Sequence, residues 1–113
     1  MKVNTQQIQI GAMSYYENEI AKKTVGIKQF GAYFLMPIIG KKVENYVNAF
    51  AENELTKEFF DENRNVDIDT IYNMAKDAIK KSGQFVAFGL VFNENDVDKL
   101  YTYIKHTQSG GII

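Results

Sequence analysis

Acidic and amide side chains alternate between residues 61 and 69 with the spacing of the first half of a calcium-binding loop. The oxygen-bearing residues are Asp61, Asn63, Asn65, Asp67 and Asp69. A calcium loop of the EF-hand type has glycine at its sixth position and a bidentate Glu at its twelfth. In this chain those positions hold Val66 and Tyr72. The stretch is therefore an incomplete calcium-loop candidate, and we expect no resident metal.

The residue types that most often carry out catalysis are scarce in this chain. It has one His and no Cys, which excludes cysteine nucleophiles and multi-histidine metal sites. His106 could act as a base toward Ser14 or Ser82, but it lies near the predicted end of the last helix, where a histidine complements the helix dipole. No glycine-rich turn precedes a predicted helix in the manner that cradles a phosphate. We therefore expect a protein that is not an enzyme and has no cofactor.

The charge distribution argues against a nucleic-acid partner. The chain has 13 Lys plus Arg against 14 Asp plus Glu, and its only arginine, Arg64, lies in the acidic stretch 52–69. Nucleic-acid binders instead present a basic face that neutralises phosphates. The acidic stretch leaves open an alternative function, in which a regulatory or inhibitory module binds a host protein by mimicking an anionic ligand.

Caps and apolar periodicity predict the first two helices. The spacing of a capping box with a hydrophobic staple is present at Val3, Asn4, Gln7 and Ile8, and it predicts that helix 1 begins at Thr5. We expect this helix to end near residue 23. From residue 25 to 36 the chain is apolar almost all round, which predicts a central, largely buried helix that is broken at Pro37.

Three further elements follow the same rules. The apolar stripe after Gly40 predicts a helix to about Asn53. Another helix is predicted from Asp67 to Ser82, because Asp67 is suited to be its N-cap and Gly83, directly after it, is suited to end it. The last helix is expected from Asn93 to residue 105 or 106.

The apolar run Phe85–Phe92 is rich in β-branched and aromatic residues, which predicts an extended element. No second convincing strand is visible, so three partners stay open: residues 110–113, the run itself folded back around Gly89, or a sheet of another subunit. If the run pairs with a sheet of another subunit, it forms an assembly surface together with the nearby tyrosines. The predicted interface residues are Phe85, Phe88, Leu90, Tyr101 and Tyr103.

These elements predict a mainly α fold, a compact bundle of four to five helices with a short extended, strand-like element before the last helix. We expect one helical domain over residues 1–106 and a flexible tail over 107–113. The longest mostly apolar stretch, Phe30 to Ile39, has only ten residues, whereas a membrane span needs about 20. We expect no secretory leader and no membrane span.

Three motifs, mainly in the C-terminal half, are similar to small uncharacterised proteins of Firmicutes phages and prophages. They are Asp61-Glu62-Asn63-x-Asn65-Val66-Asp67-x-Asp69-x-x-Tyr72, Ala75-Lys76-x-Ala78-x-Lys80-Lys81-Ser82-Gly83 and Asn93-Glu94-x-Asp96-x-Asp98-Lys99-Leu100-Tyr101-x-Tyr103-Ile104-Lys105. Arg64 stands where that family favours Gly. The resemblance implies a phage accessory or virion-associated origin and carries over no catalytic residue.

Together these patterns predict a phage-derived structural or assembly protein that acts through protein–protein contacts. Self-association into a homo-oligomer is the expected partnership, and the host cytoplasm or the virion is the expected location.

Overall fold

Five α-helices dominate the computed structural model, which describes residues 1–54, 56–87 and 90–108. The helices are α1 (Thr5–Tyr16), α2 (Ile27–Phe34), α3 (Met36–Glu52), α4 (Ile68–Ser82) and α5 (Glu94–Gln108). A π-helical turn, Glu17–Ala21, continues α1, and a 3-10 turn, Lys57–Phe59, follows α3. The predicted mainly α fold of four to five helices is confirmed.

Four three-residue strands form two antiparallel pairs. β1 (Lys2–Asn4) pairs with β2 (Asn65–Asp67), and β3 (Phe85–Ala87) pairs with β4 (Leu90–Phe92). The extended run before the last helix is therefore confirmed, and it pairs with itself as a hairpin. The prediction that the chain has no second strand region is wrong, because strands as short as β1 and β2 show no alternation that a pattern can reveal.

The predicted caps are present in the structure. The Asn4 side chain accepts a hydrogen bond from the Gln7 backbone N–H at 2.8 Å, and the Gln7 side chain accepts one from the Asn4 N–H at 2.8 Å. Asp67 caps α4 by accepting from the Asp69 N–H at 3.0 Å. Gly83 ends α4 with a φ of 84°, the left-handed conformation that glycine adopts without a steric penalty.

The core lies between α1, α3 and α5, with α1 packed most extensively against α5. Val3 and Val66, which face each other across the β1–β2 pair, are its most completely buried large side chains. Phe92, at the end of the hairpin, packs its ring against Tyr15 with the ring centroids 5.9 Å apart. The strands therefore anchor the ends of α1, α4 and α5 to one apolar cluster.

The prediction that the helix after residue 25 is central and buried is wrong. None of the residues of α2 is buried, and Ile27, Phe30 and Phe34 are 87%, 71% and 72% exposed. A helix that is apolar on all sides has the composition needed for burial, but its packing against the rest of the fold decides whether it is buried. Here α1, α3 and α5 fill the core, and α2 contacts the π-helical turn and α3 with its opposite side.

Other boundaries differ by a few residues. The α-helix that begins at Thr5 ends at Tyr16, seven residues before the predicted end, and the π-helical turn follows it. The break predicted at Pro37 is present slightly earlier: α2 ends at Phe34 and α3 begins at Met36, with Pro37 in its first turn, where its missing N–H needs no partner. Helix α5 continues to Gln108, two residues into the predicted tail, and residues 109–113 lie outside the described residues. Among the helices described here, none is both long and apolar enough to cross a membrane.

Candidate functional site

The turn at residues 61–65 uses its first carboxylate to fold the chain locally. Asp61 accepts hydrogen bonds from the backbone N–H groups of Asn63 and Asn65 at 2.9 and 3.0 Å, and from the Lys2 ammonium at 3.3 Å. These bonds, the one from Asn65 first, hold the pKa of Asp61 below its usual value. The Asp61 carboxylate therefore has its charge matched within the chain. At the end of the turn, Arg64 adopts a left-handed conformation with a φ of 60°.

The other two aspartates of this stretch hold the N-terminal amine. The Met1 ammonium lies 3.1 Å from an Asp67 oxygen and 2.8 Å from an Asp69 oxygen. These bonds raise the pKa of the amine and lower those of both carboxylates. The Tyr101 hydroxyl also donates to Asp69, and this bond raises the pKa of Tyr101 to about 12. We name this cluster the N-terminal clasp: Met1, Asp67, Asp69 and Tyr101.

The calcium-like spacing therefore has another explanation. Asp61 folds a turn, Asp67 caps α4 and Asp69 belongs to the N-terminal clasp. In the parts of the chain that the structure describes, no three His, Cys, Asp or Glu side chains are placed to hold a metal ion together. The alternation of acids and amides thus reflects a turn that leads directly into a capped helix.

The predicted interface residues fall into different environments. Phe85 is half-buried, whereas Phe88 and the side chain of Leu90 lie outside the described residues. Tyr101 stacks on Tyr72 with the ring centroids 4.3 Å apart, and the Tyr103 hydroxyl donates to Glu19 at 2.8 Å. Both tyrosines thus make contacts within the chain.

Among the hairpin side chains that the structure describes, two exposed valines were not selected by sequence reasoning. Val86 and Val91 are directly opposite each other across β3 and β4 and are 59% and 61% exposed. Side chains alternate between the two faces of a strand, so the buried Phe92 and its partner Phe85 lie on the other face. Once the hairpin is assumed, this alternation identifies the valine pair. We name Val86 and Val91 the hairpin face.

A groove of about 400 Å³ lies between the π-helical turn and α5. Its lining residues are Glu19, Asp98, Lys99, Thr102, Tyr103 and His106. The Glu19 carboxylate accepts from Lys23 at 2.7 Å, from Lys99 at 2.9 Å and from Tyr103. These bonds, the one from Lys23 first, lower the pKa of Glu19 to about 2. Glu19 is thus fully ionised near neutral pH and is a poor proton acceptor.

The second acid of the groove is also engaged. Asp98 accepts from the Tyr72 hydroxyl at 2.6 Å and from Lys76 at 3.0 Å, which lowers its pKa. Lys76 reaches Glu94 as well, at 2.9 Å. These bonds link α4 to α5. Ser82, a possible partner of His106, bonds instead to the carbonyl oxygens of residues 78 and 84 at the end of α4.

An exposed apolar surface lies on α2 and the first turn of α3. Its members are Ile27, Phe30, Phe34 and Ile38, which we name the α2 face. The rings of Phe30 and Phe34 are stacked on each other, with their centroids 6.5 Å apart and their planes at 18°. On the other side of α2, the Tyr16 hydroxyl donates to the Ala32 carbonyl at 2.9 Å. This bond fixes which side of the helix turns toward solvent.

Lysines surround the α2 face in the sequence. Residues 20–43 contain five lysines and no acid. They are Lys22, Lys23, Lys28, Lys41 and Lys42. Lys23 and Lys41 pair with Glu19 and Glu44 in their own helical segments. Within the described residues, the other three lysines form no ion pair, so this part of the molecule has an excess of positive charge.

Comparisons of the chain with protein-family models, with curated proteins and with solved structures find no match. The surface features that bear on function are the hairpin face, the groove beside α5 and the α2 face.

Proposed function

We propose that this protein is a non-enzymatic structural or assembly component of phage origin, which acts through protein–protein contacts in the host cytoplasm or the virion. Its principal partner is a second copy of the same chain, and the contact is made by the β3–β4 hairpin. The observation that carries this proposal is the exposed, directly paired hairpin face on a sheet of only two strands.

A two-stranded sheet offers a natural contact to a second copy. Within the described residues, β3 and β4 pair only with each other, so each has an outer edge without a strand partner. Isolated hairpins are marginally stable, and an unpaired edge is a template for another strand. A two-fold axis beside such an edge would join two hairpins into one four-stranded sheet, because antiparallel edges are self-complementary. The valines of the two hairpins would then lie on one face of this sheet, where those on the joined edges pack beside each other across the seam.

The polar residues support a non-enzymatic function. Glu19 and Asp98 each accept bonds from donors on neighbouring segments, and the aspartates of the 61–69 stretch serve a turn, a cap and the N-terminal clasp. Such groups hold the fold together rather than being directed at a substrate. The similarity of the motifs quoted above to phage and prophage proteins supports the proposed origin.

The alternative function, an acidic module that mimics an anionic ligand, has less support. Glu52 pairs with Arg64 at 2.7 Å, Glu54 pairs with Lys57 at 3.0 Å, and Asp61 lies beside Lys2. The charge of the stretch 52–69 is therefore largely matched by nearby cations, which reduces its attraction for a basic partner.

The test is the solution mass by light scattering over a hundredfold range of concentration at low and high salt. We expect an oligomer that resists salt, because backbone hydrogen bonds between strand edges and valine contacts across the seam involve no ion pair. The double variant V86T/V91T keeps the β-branched shape of both strands but adds hydroxyls, and it should shift the mass toward the monomer. The matched control is V25T, the same substitution at an exposed valine outside the hairpin. A wild-type monomer at every concentration would overturn the proposal, as would an oligomer that V86T/V91T leaves unchanged.

A further inference from the structure

We propose that the α2 face is a membrane-docking surface that lies in the interface of an anionic lipid bilayer. This proposal is independent of the hairpin contact, because it concerns a different surface and a different class of partner. It rests on three observations: the area of the exposed apolar face, the excess of lysines around it, and the way α2 is held to the domain.

The exposed apolar area is large for a domain of this size. Phe30 and Phe34 alone expose about 200–350 Å², given the area of a whole aromatic side chain. Ile27 and Ile38 extend the same surface. The largest apolar patch of a typical monomer measures about 300–600 Å² and is often functional. The α2 face thus has the size of a binding surface, and its side chains are of the type that enters the acyl boundary of a bilayer.

The lysines select an anionic partner. After the Lys23–Glu19 and Lys41–Glu44 pairs, Lys22, Lys28 and Lys42 remain without an acidic partner in the described part of the chain. All three are exposed. Apolar side chains flanked by lysines are the composition of helices that lie on negatively charged membranes, since the long lysine stems keep the ammonium groups at headgroup level.

The same lysines make a second copy of the chain an unfavourable partner for the α2 face. A symmetric contact through the α2 face would bring two copies of this lysine-rich segment together, and like charges opposed across an interface are costly. A bilayer with anionic headgroups places opposite charge there instead. Charge complementarity therefore distinguishes this surface from the hairpin face, where the exposed residues are uncharged valines.

The way α2 is held allows the helix to lie flat on a bilayer. Its eight residues span about 12 Å, far less than a bilayer. Gly26, with a φ of 64°, precedes the helix, and the Tyr16–Ala32 bond holds its opposite side against the domain. The phenylalanines therefore project away from the core without any rearrangement of α1, α3 or α5.

The experiment is flotation of the full chain with vesicles of phosphatidylcholine, with and without phosphatidylglycerol, at low and high salt. We expect flotation with the anionic vesicles, weaker flotation with neutral ones, and release by salt. The variant F30Q/F34Q keeps helix propensity and should abolish flotation. The variant K28Q/K42Q should weaken partitioning by about tenfold to thirtyfold, since each lysine contributes near an anionic surface.

Matched controls use the same substitutions elsewhere. M74Q introduces glutamine at an exposed methionine of α4, and K57Q/K80Q removes two lysines outside residues 20–43. Both controls should float like the wild type, and thermal melts should show that every variant is folded. No flotation with anionic vesicles at low salt would overturn the proposal, and so would flotation that F30Q/F34Q leaves intact. An oligomer that F30Q/F34Q alone dissociates would instead identify a second copy as the occupant, while V86T/V91T tests the hairpin contact separately.

Discussion

At the scale of single residues, Gly11 sets the distance between α1 and α5. A Cβ atom at this position would lie 2.6 Å from Ile104 Cγ1 and 2.7 Å from Ile104 Cα. The Cα atom belongs to the backbone of α5, so the two helices would have to move apart. We therefore expect G11A to lower the free energy of unfolding by about 1–3 kcal/mol, the usual effect of overpacking.

The matched control is G31A, a glycine within α2 where an added Cβ meets no atom within 4 Å. Because alanine is the better helix former, G31A should leave stability unchanged or raise it by up to about 1 kcal/mol. Chemical denaturation of both variants gives the comparison. Equal stabilities would show that the α1–α5 contact yields to a methyl group at no cost.

Arg64 carries backbone strain that a glycine would remove. Its φ of 60° lies in the left-handed region, which costs a residue with a side chain about 1–2 kcal/mol. Both R64G and R64A remove the exposed Arg64–Glu52 pair, so their difference isolates the backbone term. We expect R64G to be more stable than R64A by about 1 kcal/mol in denaturant unfolding. R64A as stable as R64G would refute this explanation.

Local chemistry could be predicted from the sequence, whereas contacts between distant residues could not. The Asn4 cap and the Gly83 stop depend on neighbours within four residues, and both predictions are confirmed. From the sequence alone, Gly11 can be recognised only as a residue of low helix propensity. Its role depends on Ile104, 93 positions further along the chain, and no periodicity connects the two.

At the scale of elements, the π-helical turn is bound to α5 through Glu19. The carboxylate ties the turn to Lys99 and Tyr103 of α5. The pKa of Glu19 falls from its ordinary value of 4.5 to about 2. A carboxyl with a lowered pKa contributes stability that is present above pH 4.5 and is lost as the pH falls toward 2.

We therefore expect E19Q to cost about 1 kcal/mol of unfolding free energy at neutral pH, and its difference from the wild type to shrink between pH 4.5 and pH 2. Denaturation curves over this pH range provide the measurement. E58Q, at an exposed glutamate on the 3-10 turn, serves as the control and should change little. A deficit of E19Q that is the same at pH 7 and pH 2 would contradict the ionic origin of the contact.

The helices were predictable in number, but neither the burial of α2 nor the strands β1 and β2 could be predicted. Helices α4 and α5 begin within a residue of the predicted starts because their N-caps are explicit in the sequence. The burial of α2 was predicted incorrectly because composition records only how apolar a segment is. Likewise, the run Phe85–Phe92 was predicted to be extended, but the exposure of Val86 and Val91 could be assigned only once the register of β3 and β4 was known.

At the scale of the whole molecule, the N-terminal clasp joins the first residue to α4 and α5. The Met1 ammonium has a raised pKa because Asp69 and Asp67 accept its hydrogen bonds. A cation with a raised pKa contributes stability that is fully present below its ordinary pKa of 8.0 and is lost as the pH rises through the higher folded value.

Acetylation of the Met1 amine removes this charge. We expect the acetylated chain to unfold at a lower temperature than the free chain at pH 6 to 7, and the gap to close as the pH is raised well above 8, where the free amine is itself neutral. Melting curves by circular dichroism at several pH values provide the measurement. An acetylated chain that melts like the free chain at neutral pH would show that the clasp adds nothing to stability.

The pairing of α1 with α5 also has a consequence for synthesis on the ribosome. The chain emerges at about 5–20 residues per second, and α1 leaves well before α5 exists. Until then the apolar stripe of α1, including Ile8, Ala12 and Tyr15, lacks its main partner. Strand β1 likewise cannot pair until β2, more than sixty residues later in the chain, has been synthesised. These pairings between distant segments predict a domain that completes its folding only after its last helix has been translated, and that leaves nascent α1 exposed to chaperones in the meantime.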